Sequence, residues 1–96
     1  MPKNQKLTKV IAGRTVKVAT TDREGVLVLF DDQSTMKIKT TGAAAVSPGG
    51  NIKSVYETRA EFKIEFEDGS SATFCLANPG SSVAVRDKTN AVEYLG

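Results

Sequence analysis

The sequence predicts one all-β domain, a small antiparallel SH3-like barrel or strongly twisted meander built from two three-strand repeats plus C-terminal strands. Three observations predict it. Short apolar segments recur at close spacing between polar or glycine-containing breaks. The stretch from Gly13 to Thr40 is similar to the stretch from Gly49 to Leu76 at an offset of 36 residues. The chain has 96 residues, 40% hydrophobic and 25% charged, which suits a single globular core and is too short for two. A chain of this length buries roughly 60 to 65% of the surface its unfolded form exposes, so its stability would gain from a partner subunit.

The expected boundaries are a flexible N-terminus over 1–6, a first unit over about 13–40, a linker over 41–50, a second unit over about 49–76 and closing strands over 82–95. Within the first unit, strands fall on Val16 and Val18, on Val26 to Phe30, and on Met36 and Ile38. The second unit places them on Ile52 to Tyr56, on Phe62 to Phe66 and around Phe74. The one helix candidate is Gly42 to Val46, a single turn cut off by Ser47-Pro48-Gly49-Gly50. Beyond the turn at Asn78-Pro79-Gly80, Ser82 to Arg86 and Val92 to Leu95 supply two further strands, the last suited to covering an open sheet edge.

The two copies are aligned by Gly13 with Gly49, Val16 with Ile52, Arg23 with Arg59, Phe30 with Phe66, Asp32 with Asp68, Ser34 with Ser70 and Ile38 with Phe74. They also differ in informative ways. The second tight turn contains Asp68-Gly69, which readily supplies a positive φ, whereas the first has Gln33 at the glycine's place. Either the two turns differ in type or Gln33 adopts a left-handed conformation at about 1 kcal/mol.

Alternation in the second unit puts Phe62, Ile64 and Phe66 inward and Glu61, Lys63 and Glu65 outward. The first unit turns Val26, Val28 and Phe30 inward, but Leu27 and Leu29 stand where the sister strand has Lys63 and Glu65. A strand face in water does not need these leucines, so either the 41–50 connector or a partner is expected to cover them.

Composition narrows the chemistry. With no histidine and one cysteine, Ser-His-Asp and Cys-His machinery, ordinary zinc sites and haem ligation cannot be assembled within the chain. No enzymatic activity, cofactor or metal is therefore expected. The acid pairs Asp31-Asp32 and Glu67-Asp68 lack the alternating spacing of calcium loops and read as hairpin-turn chemistry. The glycine-rich Ser47 to Asn51 segment lacks the lysine and following helix of a phosphate loop. Cys75 has no basic neighbour to activate it and reads as an inert, partly buried thiol that cannot form an internal disulfide. Tyr56 and Tyr94 read as residues finishing the core edge with their hydroxyls at the surface.

The polar N-terminal ten residues contain no apolar leader core, and no apolar run approaches a bilayer span. A cytoplasmic protein without membrane association is the expectation. Net charge is only +2, yet Lys3, Lys6, Lys9, Arg14 and Lys17 are concentrated near the start with no acid among them.

Gly25-Val26-Leu27-Val28-Leu29-Phe30-Asp31 resembles the Gly-x-Leu-x-x-Phe-Asp stretch of Sm-like RNA-binding barrels, with Gly13-Arg14-Thr15-Val16 upstream of it. The resemblance covers about a fifth of the chain. It implies a small barrel that binds RNA, but the asparagine of that family's uridine-binding loop and its Arg-Gly pair are missing, so no site residue carries over.

Two readings follow. The first is a non-catalytic interaction or oligomerisation module that binds protein, beginning with itself as a homo-oligomer, through Leu27 and Leu29. The alternative is a nucleic-acid-binding small β-barrel whose Lys3, Lys6, Lys9, Arg14 and Lys17 neutralise phosphates.

Overall fold

The computed structural model describes residues 2–41, 46, 48–78 and 82–96. Its elements are α1 (Gln5–Ile11), β1 (Val16–Thr21), β2 (Gly25–Phe30), β3 (Thr35–Lys39), β4 (Ile52–Glu57), β5 (Glu61–Phe66), β6 (Ser71–Cys75), β7 (Val83–Arg86) and β8 (Val92–Leu95). The strands form two antiparallel sheets, one of five strands in the order β1-β2-β3-β7-β8 and one of three in the order β4-β5-β6. Neither sheet closes on itself, so the architecture is two open sheets rather than a closed barrel.

β1-β2-β3 and β4-β5-β6 are two three-strand units of like connectivity, and their equivalence extends to individual bonds. Val16 pairs with Phe30 in the first unit and Ile52 with Phe66 in the second, and a bulge interrupts β1 at Lys17 and β4 at Lys53. The units meet at two isolated bridges, Thr15 with Asn51 and Thr40 with Leu76. Each bridge joins a residue to its own counterpart in the other copy, the pairing that a two-fold axis through the bridge imposes. Reciprocal bonds surround them: the Val16 N–H donates to the Gly50 carbonyl at 2.9 Å, and the Ile52 N–H to that of Arg14 at 3.0 Å. At the other end the Thr41 N–H donates to the Cys75 carbonyl, and the Ala77 N–H to that of Lys39. The chain thus builds a pseudo-dimer from one polypeptide.

The tight turns match as well. Gln33 has φ of 71° and Gly69 has φ of 90°, so Gln33 takes the left-handed conformation rather than a different turn. Asp32 and Asp68 each accept from the backbone N–H and hydroxyl of the serine two residues on, Ser34 and Ser70. Gln33→Gly should remove the left-handed strain and stabilise the protein by about 1 kcal/mol, several degrees in Tm for a domain of this size. Thermal unfolding followed by circular dichroism measures this, and Gln33→Ala is the control without a gain.

Between the sheets lies one core, in which Val28, Met36, Ile38, Ile52, Val55, Phe62, Ile64 and Val85 are fully buried. Phe62 and Phe74 stack at a tilt with centroids 6.3 Å apart. Val46 joins this core from the connector, while Gly42 to Ala45 of the expected helical turn lie outside the described residues, as do Pro79 and Gly80 of the expected turn.

The one helix among the described residues, α1, begins in the segment expected to be flexible. Residues 2–6, part of the segment read as a flexible tail, instead run along the free edge of β4 and enter α1. The Glu57 N–H donates to the Pro2 carbonyl, Lys3 bridges to Tyr56, and the Asn4 N–H donates to the Val55 carbonyl. Asn4 caps α1 by accepting from the Leu7 N–H at 3.0 Å. Leu7 and Ile11, one turn apart, drive the helix against the core. The Thr8 hydroxyl accepts from the Val55 N–H at 3.0 Å, and the Gly13 N–H donates to the Ile52 carbonyl. Residues 2–14 therefore satisfy a strand edge that would otherwise be open.

Candidate functional site

Strand register places the exposed apolar residues. Paired residues point the same way, so Thr20, Leu27, Lys37, Ala84 and Leu95 form one row across β1, β2, β3, β7 and β8. Val18, Leu29, Thr35, Arg86 and Val92 form the adjacent row. Both rows lie on the sheet face opposite the buried Val26, Val28, Met36, Ile38 and Val85.

Among the described residues the large apolar side chains left exposed are Val18 at 46%, Leu27 at 47%, Val92 at 48% and Leu95 at 66%, and all four belong to these two rows. Leu29 is half-buried between Val18 and Thr35. The sequence singled out Leu27 and Leu29; it did not connect them with Val18, Val92 and Leu95. Those residues arrive on the face only because a bulge at Lys17 shifts the phase of β1 and because β8 joins this sheet through β7.

The face is cationic as well as apolar. Lys37, Lys39 and Arg86 project from it, and neither row contains a carboxylate. Glu24 approaches the Lys37 ammonium at 3.8 Å from the neighbouring hairpin, a solvent-exposed pair that adds little. Between Lys37 and Leu95 the small Ala84 leaves a depression. It opens into a cleft of about 310 Å³ that also reaches Lys39.

The outer face of β4-β5-β6 is the contrast. Its rows read Tyr56, Lys63 and Thr73, then Ser54, Glu65 and Ser71, with Glu61 beside Cys75. Glu65 pairs with Lys53 at 3.7 Å, and the Lys63 ammonium lies 5.7 Å from the centre of the Tyr56 ring. Cys75, expected to be partly buried, is exposed, because the alternation that buries Phe74 turns Cys75 to the outside.

The basic residues near the start do not form one surface of free cations. Arg14 is largely buried and its guanidinium donates to both carboxylate oxygens of Glu93, at 3.0 and 2.9 Å, and to the Ser34 hydroxyl at 2.9 Å. It also lies 3.5 Å from the Asp32 carboxylate and 5.8 Å from the centre of the Phe30 ring. Arg14 thereby fastens β8 to the first tight turn, and is unavailable to a phosphate. Lys3, Lys6, Lys9 and Lys17 are exposed, on the β4-edge segment, on α1 and at the β1 bulge.

Arg14→Ala should destabilise the protein by about 2 kcal/mol, since it leaves a half-buried carboxylate and hydroxyl without their bidentate partner. Arg14→Lys should recover less than half of that, because an ammonium cannot reproduce the fork. Urea unfolding of the three proteins measures both values.

The turn acids are held below the usual carboxylate range. Asp32 is lowered chiefly by the Ser34 hydroxyl and N–H, with help from Arg14; Asp68 by the Ser70 hydroxyl and N–H; and Asp87 chiefly by the Thr89 hydroxyl and the Ala91 N–H. These bonds orient the carboxylates inward to their own turns, as turn chemistry requires. No group of three or more metal-ligating side chains occurs among the described residues, and no helix among them is long and apolar enough to cross a membrane.

By architecture the chain is an all-β domain of two pseudosymmetric three-stranded units, with two further strands extending one sheet and a short helix sealing the edge of the other. No protein-family model matches the chain, and no curated protein or solved structure shows a significant similarity to it.

Proposed function

We propose that this domain is a non-catalytic interaction module that binds another protein through the outer face of its five-stranded sheet. The observation that carries the reading is the collection of Val18, Leu27, Val92 and Leu95 on one face, while the outer face of the sister sheet is polar. Leucines at 27 and 29 in place of a lysine and a glutamate contribute little to a solvated strand and much to a desolvated contact. Nothing in the arrangement of Lys3, Lys6, Lys9 and Lys17 favours the nucleic-acid reading over this one.

A benzophenone-bearing residue in place of Leu27 or Leu95 should give a discrete heavier adduct on irradiation in the cells that make the protein. The same residue in place of Thr73, on the outer face of the other sheet, should give none. Absence of an adduct at both face positions, or an identical adduct at Thr73, would refute the reading.

A further inference from the structure

We infer that the partner of this face is an acidic protein segment carrying apolar anchors, not a second copy of the chain; the inference rests on the interaction reading above. Charge decides between the occupants. The rows that hold Val18, Leu27, Leu29, Val92 and Leu95 hold Lys37 and Arg86 as well, with Lys39 one pair further along β3. They contain no acid.

Neither sheet face of a second copy suits this surface. Placed face to face about a two-fold axis, it would bring Lys37, Lys39 and Arg86 of both copies into one interface whose rows hold no carboxylate, an accumulation of like charge that opposes docking. Presenting its other sheet instead, it would offer Glu61 and Glu65, but with Lys63 between them and exposed Ser71 and Thr73, which supply no large aliphatic side chain to the leucines.

The face calls for both chemistries at once. Lys37 lies between Leu27 and Ala84 in one row, and Arg86 lies between Thr35 and Val92 in the next. An extended acidic segment alternating carboxylates with aliphatic residues would neutralise the cations and cover the leucines. The cleft lined by Ala84 and Leu95 together with Lys37 and Lys39 would suit an aliphatic side chain flanked by a carboxylate. Association of this kind weakens as salt rises, because the cations are exposed.

The test is a titration of the full ¹⁵N-labelled protein, followed by amide chemical shifts, with three nine-residue peptides that alternate leucine with glutamate, with glutamine or with lysine. The glutamate peptide should shift the amides of Leu27, Lys37, Ala84 and Leu95. Its affinity should fall about tenfold on Lys37→Glu combined with Arg86→Glu, a change on exposed or half-exposed side chains that should leave the fold's amide spectrum intact. Raising salt from low to physiological concentration should weaken it severalfold.

Equal binding of the glutamine peptide, no binding of the glutamate peptide, or shifts confined to other surfaces would overturn the acidic assignment. A photo-adduct of twice the chain mass would overturn it as well, by making the partner a second copy. Equally tight binding to vesicles of phosphatidylglycerol would do so by making the partner a membrane. Adducts at Leu27 and Leu95 with any other single protein would leave the interaction reading standing through the first three failures, so the two proposals fail separately.

Discussion

Gly25→Ala is expected to destabilise the protein by about 3 kcal/mol or more, lowering Tm by roughly 15 °C or preventing folding at physiological temperature. Gly25 begins β2 with φ of 151°, and a Cβ there would stand 1.9 Å from the carbonyl oxygen of Ile38. That obstacle is backbone, held between β2 and β7 by the paired ladders of β3, so it cannot swing aside as a side chain would. Relief would require β2 and β3 to separate where Val26 and Ile38, both buried, face each other. The counterpart of Gly25 in the second unit is Glu61, whose backbone lacks the positive φ. Glu61→Ala should therefore change stability by less than about 0.5 kcal/mol, and urea unfolding of the two variants side by side checks the contrast.

The second large effect is expected from unseating α1. Leu7→Ala removes a fully buried side chain and should cost about 3 kcal/mol through lost burial and the cavity left behind. A seven-residue helix has little stability of its own, so weakening its packing also frees the edge of β4. Thr8→Val isolates that second consequence: it keeps the shape but removes the hydroxyl that accepts from the Val55 N–H. The buried donor left unpaired should cost about 1 to 3 kcal/mol. Thr8→Ser, which keeps the acceptor, should lose markedly less. Hydrogen exchange at Val55 reads the edge directly: the amide should exchange much faster in Leu7→Ala and Thr8→Val than in the parent. Unchanged protection there would show that α1 does not guard this strand.

Much of the fold was legible in the sequence because β structure writes its faces at period two and because the same pattern occurs twice. Phe62, Ile64 and Phe66 against Glu61, Lys63 and Glu65 define an inner and an outer face without reference to any contact. Comparing copies also located the anomaly at Leu27 and Leu29. The helix was missed although its signals are present: Asn4 as N-cap, Leu7, Val10 and Ile11 at helical spacing, and Gly13 beyond the end. The lysines among them made the segment read as a basic tail. Its order comes from docking on β4, a contact between residues some fifty positions apart.

Arg14 illustrates the same limit within the candidate site. In sequence it is one more cation in an acid-free stretch. In space it is enclosed by Asp32, Ser34 and Glu93, the last brought from the far end of the chain by β8. Charge along a sequence measures neither distance nor desolvation, and these two quantities decide whether a guanidinium is structural or free.

By itself the sequence determined the repeated three-strand unit, the inward and outward residues of β2 and β5, and the lack of any histidine to serve as base or ligand, since all of these depend on local period and composition. Only the tertiary structure decided that the units pair about a pseudo-two-fold axis as open sheets, that Gly25 must be glycine, and that Val18, Leu27, Val92 and Leu95 share one cationic face. Each of those facts depends on which distant segments become neighbours. That is set by the free energy of burying the whole core at once, which no single window of sequence contains.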